Sequence, residues 1–337
     1  MNPLFSVIIP VYNVVQYLDE CLQSVLQQSF SDYEIILIDD CSNDGSYDLC
    51  VSYAANDTRI SVFRHDTNRG LSEARNSGMR MAKGRYLTFL DSDDYWQGEI
   101  LSKVSEVLTA DSDIEVVRGR YIQLSAATGK YGRESYCFAD KPYSGMTFLG
   151  EMMKNGILEP SVWLYFFLAD LAVGENLNFV RGIVAEDYEW TPRLLQQAEK
   201  LVCISDVFYV YRMKRAGSIV NTRGSAKRFV DAFMFVLSNV GTAIVTEPVL
   251  HEYYLNAIPL MLNAIGQMDR TTRKKKYRQI TRYHYLLEAD FPKARVLRLF
   301  IAFFGERRYG YPFYLINFAR LRVNEFVFWL KSATSQR

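Results

Sequence analysis

Apolar residues in the first 120 positions follow two different spacings. Short continuous apolar runs predict strands, and apolar residues recurring every three or four positions predict helices. The predicted strands are Ser6–Val11, Glu34–Ile38, Ile60–Phe63, Tyr86–Leu90 and Ile114–Arg118. The predicted helices are Tyr17–Gln28, Ser72–Lys83 and Gly98–Thr109. Strands that alternate with helices predict an α/β fold with a doubly wound, mainly parallel sheet.

The pattern is looser in the rest of the chain. We predict a loop or weak hairpin over Gly129–Tyr143, a helix over Glu186–Gln197, and short strands at Leu201–Ile204 and Val207–Tyr211. From about Ala226 the pattern is helical to the end. A domain boundary is therefore expected near residue 222, between a first domain (1–222) and a helical C-terminal region (223–337).

Polar clusters follow three of the predicted strands. Asn13, the pair Asp39–Asp40 and the tetrad Asp91–Asp94 each stand where a strand ends. In open α/β sheets, ligands bind in the crevice beyond the carboxyl ends of the strands. The three clusters should therefore meet at one site, and a nucleotide is the ligand that this position favours.

The tetrad Asp91-Ser92-Asp93-Asp94 holds three carboxylates within four residues. Carboxylates this close repel one another unless a cation or hydrogen-bond donors compensate. Their oxygens suit Mg²⁺, Mn²⁺ or Ca²⁺. The alternative is a polar turn that caps the helix predicted over Gly98–Thr109.

Composition indicates a folded globular protein. Of 337 residues, 49% are hydrophobic and 23% are charged, which fits one large domain or two. Five scattered cysteines without a paired spacing indicate a reduced, cytoplasmic protein without a zinc site. We find no secretory signal, and no apolar run approaches the ~20 residues that cross a bilayer.

The net charge of +1 hides an asymmetry. Residues 1–269 hold 23 basic and 34 acidic residues, whereas residues 270–337 hold 16 basic and 4 acidic ones. Basic charge beside aromatic runs such as Phe300–Phe304 and Phe326–Trp329 favours a membrane surface. Nucleic acid is disfavoured because the acidic first part would repel phosphates. A helical subdomain with a solvated basic face is the simpler alternative.

Five blocks together carry a resemblance to a known family. They are Ser6–Asn13, Ile38–Ser46, Asn68–Asn76, Leu90–Asp94 and Glu186–Trp190. In this order they resemble family 2 of the inverting glycosyltransferases, whose catalytic domain has the GT-A fold. The resemblance covers roughly residues 4 to 220. Cys41 departs from it, because the family often has glycine there.

The resemblance implies a nucleotide site. Pro10, Val11 and Asp40 would hold the base of a nucleoside diphosphate, while Asp39 would otherwise be a structural cap. Asp91 is expected near the ribose.

Four further residues are implied near the nucleotide and the metal. Asn13 and Ser92 are assigned to the nucleotide site. Arg75 stands where the family has a basic residue near the nucleotide, and its alternative is a surface ion pair with Glu73 or Asp66. Asp93 is expected to bind the divalent cation, Mn²⁺ or Mg²⁺, with substrate phosphates and water completing the shell.

The resemblance also implies a catalytic base. Inversion requires a carboxylate that deprotonates the acceptor hydroxyl, and Asp187 matches the second residue of the family's Glu-Asp pair. Its alternative role is a favourable charge at a helix N-terminus. Glu186, Trp190, Arg212 and Arg215 are candidate contacts to the diphosphate or acceptor, although a tryptophan is more often a core residue.

The implied function is transfer of a sugar from a nucleoside diphosphate, UDP in particular, to a hydroxyl of a glycan or lipid-linked oligosaccharide. Such a metal-dependent enzyme would serve polysaccharide synthesis, as for a capsule or exopolysaccharide, in the cytoplasm or at the inner face of the cell membrane. A nucleotidyltransferase should carry a glycine-rich loop where Val11–Val14 stands. A non-catalytic nucleotide-sugar-binding protein is the other alternative.

Overall fold

The computed structural model describes residues 2–138, 141–172, 177–213, 215, 224–240 and 247–280. The chain forms two compact units, Met1–Ser218 and Ile219–Arg337. The domain boundary predicted at residue 222 lies outside the described residues, as do the aromatic runs predicted to meet a membrane.

The first unit contains ten strands and six α-helices in its described part. The strands are β1 (Phe5–Val11), β2 (Tyr33–Asp39), β3 (Ile60–Arg64), β4 (Tyr86–Phe89), β5 (Tyr95–Trp96), β6 (Val116–Ser125), β7 (Tyr131–Glu134), β8 (Pro142–Tyr143), β9 (Tyr165–Leu168) and β10 (Leu201–Met213). The helices are α1 (Val15–Leu26), α2 (Ser46–Asn56), α3 (Leu71–Met81), α4 (Ile100–Ala110), α5 (Gly145–Lys154) and α6 (Asp187–Gln197).

All ten strands belong to one mixed sheet. Its main order is β3-β2-β1-β4-β9-β6-β10-β5, with β7 beside β6 and β8 beside β10. Strands β3, β2, β1 and β4 are parallel to one another, as are β6 and β10. The short strand β9 lies antiparallel between β4 and β6. The predicted α/β architecture is therefore confirmed, with an antiparallel strand inside the sheet that the sequence pattern does not indicate.

Burial explains why these segments form the centre of the domain. All seven residues of β1 are buried, as expected for a strand covered on both faces. On α1, Leu18, Cys21, Leu22 and Val25 recur at helical spacing and are buried, and Leu26 of the same face is partly buried. The register of β1 pairs Val11 with Asp39 at the ends of β1 and β2. The polar residues that follow these strands therefore start at the same edge of the sheet.

The prediction for the strands after residue 200 needs correction. The two short strands expected at Leu201–Ile204 and Val207–Tyr211 are one strand, β10, whose pairing with β6 shifts between Cys203 and Val207. The exposed residues Ser205 and Asp206 lie at this irregularity, and their polarity is what interrupts the apolar pattern.

The second unit is helical in its described part, as predicted. It contains α7 (Ser225–Val240), α8 (Pro248–Gly266) and α9 (Arg270–Ile280). Asp231 on α7 forms ion pairs with Lys227 and with Lys276 of α9. Across the described ranges, no helix combines the length and apolar character that a membrane crossing requires.

Candidate active site

Residues with a strained backbone lie after β1 and β2 and before α6, and we call the region bordered by these segments and the tetrad the crevice. In the described part of the chain, three non-glycine residues have a positive φ: Asn13 (52°), Cys41 (66°) and Ala185 (58°). Asn13 follows β1, Cys41 follows β2, and Ala185 precedes α6. Such left-handed conformations cost free energy and concentrate at functional sites. Glycine adopts this conformation more easily than cysteine does, so the backbone at Cys41 is strained.

Arg75 connects two parts of the crevice. Its guanidinium donates to Asp91 Oδ1 at 2.7 Å and pairs with Glu186 through its other terminal nitrogen. The side chain is only 3% exposed and lies against the rings of Phe89 and Phe179. Burial lowers the pKa of Arg75, but the charges of Asp91 and Glu186 outweigh burial and raise it. Arg75 therefore holds the tetrad beside the start of α6.

The alternative for Arg75, a surface ion pair with Glu73 or Asp66, is wrong. Glu73 is itself buried and pairs instead with Arg80 and Arg181. Arg75 is buried and its carboxylate partners come from β4's end and from α6.

Asp187 is the first residue of α6 and is partly exposed. One of its carboxylate oxygens accepts from the backbone N–H of Tyr188 at 3.0 Å. Burial and the neighbouring charge of Glu186 raise the pKa of Asp187 to about 7, against the opposing effect of Arg75. A carboxylate that exchanges its proton near neutral pH is suited to general-base chemistry.

Asp94 anchors the tetrad to the sheet. Its carboxylate accepts from the Tyr209 hydroxyl at 2.8 Å and from the backbone N–H of Arg212 at 2.7 Å. The Tyr209 hydroxyl in turn accepts from the backbone N–H of Asp91 at 3.2 Å. Burial, together with the charges of Asp93 and Asp91, holds the pKa of Asp94 well above its usual value. Asp94 is thus a structural residue, fixed to β10 by both oxygens.

Asp93 faces the cationic side of the crevice. Its carboxylate pairs with Arg215, and its backbone carbonyl accepts from Arg212 Nε at 2.9 Å. Arg212 also pairs with Glu20 at 2.7 Å. Burial and the charge of Asp91 raise the pKa of Asp93, while Arg215 lowers it. The partly exposed carboxylate could bind a cation, and the two guanidinium groups beside it could donate hydrogen bonds to an anion.

The tetrad could supply few protein ligands to a divalent cation. No group of three or more acidic, histidine or cysteine side chains in the described ranges is arranged as a metal cage. Asp94 is engaged by protein donors and Asp91 by Arg75, and a cation at Asp93 would share that carboxylate with Arg215. One carboxylate completed by substrate phosphates and water suits Mg²⁺ or Mn²⁺.

Asp39 is the last residue of β2 and Asp40 follows it, and both are buried. Asp40 accepts from His65 Nδ1 at 2.7 Å and from the backbone N–H groups of Arg69 and Gly70 at 2.8 and 2.7 Å. Asp39 accepts from the backbone N–H of Ser42 at 3.2 Å, as a structural cap would. Asp40 thus organises the loop before α3, at the edge of the predicted nucleotide site.

The remaining nucleotide-site candidates line the ends of β1 and β4. Pro10, Val11 and Ser92 are buried, and Asn13 is partly exposed. The Asn13 side chain accepts from the backbone N–H of Asn43 at 2.9 Å, which joins the loops after β1 and β2.

Trp190 is not at the crevice surface, and its expected contact to the diphosphate or acceptor is wrong. The side chain is 0% exposed and stacks on Phe179 at 4.8 Å between ring centres. Phe89 and Phe167 pack against its other sides. One turn after Glu186, the helix points this residue into the core, so the alternative packing role is correct.

Two tyrosines of β10 border the tetrad, and the sequence pattern did not indicate them. Tyr209 and Tyr211 stand two residues apart, so they project from the same face of the strand. This alternation is visible in the sequence. The sequence does not show which face of β10 borders the tetrad, because that depends on the pairing of β10 with β6 and β5.

Comparisons with known proteins agree with this arrangement. Residues 6–170 match the family model described as glycosyl transferase family 2. The chain is 27% identical over 319 residues to the glycosyltransferase GlyG of Streptococcus pneumoniae, covering 92% of this chain and 99% of that protein. It is 44% identical over 107 residues to TuaG of Bacillus subtilis, a putative teichuronic acid biosynthesis glycosyltransferase, covering 32% of this chain and 42% of that protein.

A solved structure shares the fold. S. aureus TarS in complex with UDP-GlcNAc superposes with a TM-score of 0.72 at 19% identity, covering 93% of this chain and 89% of that one. The predicted GT-A fold is thereby confirmed. Over residues 6–170 the chain belongs to glycosyl transferase family 2, and it is a glycosyltransferase of the GT-A fold.

Proposed function

We propose that the chain transfers a sugar from a UDP-linked donor to a hydroxyl of a glycan or lipid-linked acceptor, with inversion at the anomeric carbon. The observation that carries this proposal is the linkage of the tetrad to α6 through Arg75. This linkage supports the proposal because it joins the tetrad, our candidate site for the leaving diphosphate, to the start of α6, where the pKa of Asp187 is raised to about 7.

The base is assigned to Asp187. In an inverting transfer, the acceptor oxygen attacks the anomeric carbon on the face opposite the leaving diphosphate, and its proton passes to a carboxylate. The partly exposed Asp187 accepts one local hydrogen bond, which leaves oxygen lone pairs for this proton. Glu186 is engaged by Arg75 and is the less suitable of the two neighbours.

The diphosphate is assigned to the region of Asp93, Arg212 and Arg215. A divalent cation held by Asp93 would neutralise negative charge that develops on the leaving phosphate. The two guanidinium groups supply further donors for phosphate oxygens. Asn13, Asp40 and the end of β1 at Pro10 and Val11 are assigned to the base, and Asp91 and Ser92 to the ribose.

UDP is proposed as the nucleotide because the structural neighbour TarS is described with UDP-GlcNAc. Cell-surface polysaccharide is proposed as the product class because the similar protein TuaG is described as a teichuronic acid biosynthesis glycosyltransferase. A nucleotidyltransferase or a non-catalytic binding protein is the competing function.

Calorimetric titration of UDP and GDP, with and without Mn²⁺, tests the donor site. We expect wild-type protein to bind UDP more tightly with Mn²⁺, and Asp93→Ala to lose that increment. Glu106→Ala, which changes an exposed residue of α4, is the matched control and should bind as the wild type does. Absence of nucleotide binding under every condition would contradict the proposal.

A membrane-facing role is proposed for the second unit. Helix α9 exposes Arg270, Lys274 and Lys275, and anionic lipid attracts such clusters by about 1 kcal/mol per basic residue. This would place the enzyme in the cytoplasm at the inner face of the membrane, beside a lipid-linked acceptor. Cosedimentation with phosphatidylserine vesicles at low salt should capture the full chain. Equal recovery with neutral vesicles would contradict this role.

A further inference from the structure

Tyr211 lies in a fixed aromatic stack at the crevice. Its ring is nearly parallel to that of Trp163, at 25° and 5.7 Å between ring centres. Trp163 also stacks on Tyr209 at 3.9 Å, and Tyr121 packs edge-on against Trp163 and Tyr211 at 5.2 and 6.4 Å. Tyr209, Trp163 and Tyr121 are buried, whereas Tyr211 is partly exposed. The stack therefore holds Tyr211 in place while leaving part of it open to solvent.

The same side chain lies within electrostatic reach of both halves of the site. Burial and the charges of Asp94, Asp91, Asp93 and Asp187 all raise the pKa of Tyr211. The backbone agrees with this position, because the next residue, Arg212, donates its N–H to Asp94. The hydroxyl is therefore neutral at physiological pH and can donate a hydrogen bond.

No described residue makes a hydrogen bond with the Tyr211 hydroxyl, whereas the Tyr209 hydroxyl bonds to Asp94 and that of Tyr86 to the carbonyl of Ile114. A partly buried hydroxyl that bonds to none of the described residues can bond to water or a ligand.

The chemistry of the proposed transfer identifies the ligand group. If Asp93 marks the leaving diphosphate and Asp187 the acceptor oxygen, the anomeric carbon lies between them, and the transferred sugar ring is beside it. We propose that the Tyr211 hydroxyl donates a hydrogen bond to a hydroxyl of the transferred sugar, so that this residue helps to select the donor sugar. This inference rests on the proposed function and deepens it.

Tyr211→Phe tests the inference, since it keeps the stacked ring and removes only the hydroxyl. Tyr136→Phe is the matched control, because the exposed Tyr136 side chain donates its hydroxyl to Asn155 at 3.0 Å and not to a residue of the tetrad. Affinities for UDP and for UDP-glucose, UDP-galactose and UDP-N-acetylglucosamine are measured by calorimetry with Mn²⁺. Monodeoxy analogues of the best donor are then compared in the wild type and in Tyr211→Phe.

We expect Tyr211→Phe to bind UDP as the wild type does and to bind the sugar nucleotide about 2- to 10-fold more weakly, the range for one neutral hydrogen bond. Removing one particular sugar hydroxyl should weaken binding to the wild type but not to the variant. A variant that binds UDP and the sugar nucleotide with unchanged affinities, or with equal losses, would overturn the inference. Absence of all nucleotide binding in the wild type would overturn the proposed function, and this inference with it.

Discussion

Arg75 donates a hydrogen bond of 2.7 Å to Asp91 from a position that is almost completely buried. The same guanidinium pairs with Glu186, so helix α3 sets the spacing between the tetrad and α6. A buried arginine with two carboxylate partners is costly to desolvate, and its pairing requires good geometry. We therefore regard Arg75 as the residue that positions the two halves of the site.

The rate of sugar transfer should depend on pH through Asp187. The pKa of Asp187 is raised to about 7, and a base acts only when it is deprotonated. The rate should therefore fall below about pH 7 and level off above it. Initial rates of UDP release between pH 5 and 9 check this expectation.

Glu186→Gln should move that pH dependence. The charge of Glu186 raises the pKa of Asp187, and the substitution removes it. The midpoint of the rate profile should move to lower pH, whereas Glu189→Gln, which changes a residue paired with Arg193 on the same helix, should leave it in place. An identical midpoint in wild type and Glu186→Gln would be inconsistent with the assignment of the base.

Asp187 should also lower stability at neutral pH. Its folded-state pKa of about 7 exceeds the ordinary value of about 4, so the folded state retains a proton that the unfolded state releases. Stability should fall as pH rises from about 4 to 7. Asp187→Asn should therefore be more stable than the wild type at pH 8, by on the order of 1–2 kcal/mol, but not at pH 4. Thermal unfolding at both pH values checks this difference, and a gain of equal size at both would contradict it.

The last two carboxylates of the tetrad, Asp93 and Asp94, should behave differently. Asp94 is buried and accepts from Tyr209 and from the Arg212 backbone, so Asp94→Ala leaves two donors without a partner. We expect a loss of about 2–4 kcal/mol in the free energy of unfolding. Asp93→Ala breaks one partly exposed ion pair with Arg215 and should cost about 1 kcal/mol or less. Urea unfolding of both variants measures the contrast, and equal losses would argue against separate roles.

The sequence predicts the parts of the site that depend on local pattern. The buried run of β1 and the polar residues after β1, β2 and β4 are visible as apolar segments with polar ends, and parallel topology brings such ends together. The position of the tetrad after β4 and the position of Asp187 at the start of α6 follow from the same patterns.

Long-range contacts explain what the sequence does not reveal. The partners of Arg75 and the hydrogen bond from Tyr209 to Asp94 join residues that are remote along the chain. Strand β9 is four residues long and enters the sheet antiparallel, which no periodicity indicates. The core position of Trp190 depends on the rings of Phe89 and Phe179, which come from other elements.

The assignment of Asp187 as the catalytic base is tested most directly by comparing UDP release by the wild type and by Asp187→Asn. Each protein is incubated with UDP-sugars and Mn²⁺ at pH 8, and UDP affinity is measured in parallel. We predict that the wild type releases UDP from at least one donor and that Asp187→Asn is slower by about 10²-fold or more, with UDP affinity unchanged. Equal rates at equal UDP affinity would contradict the assignment of Asp187 as the base.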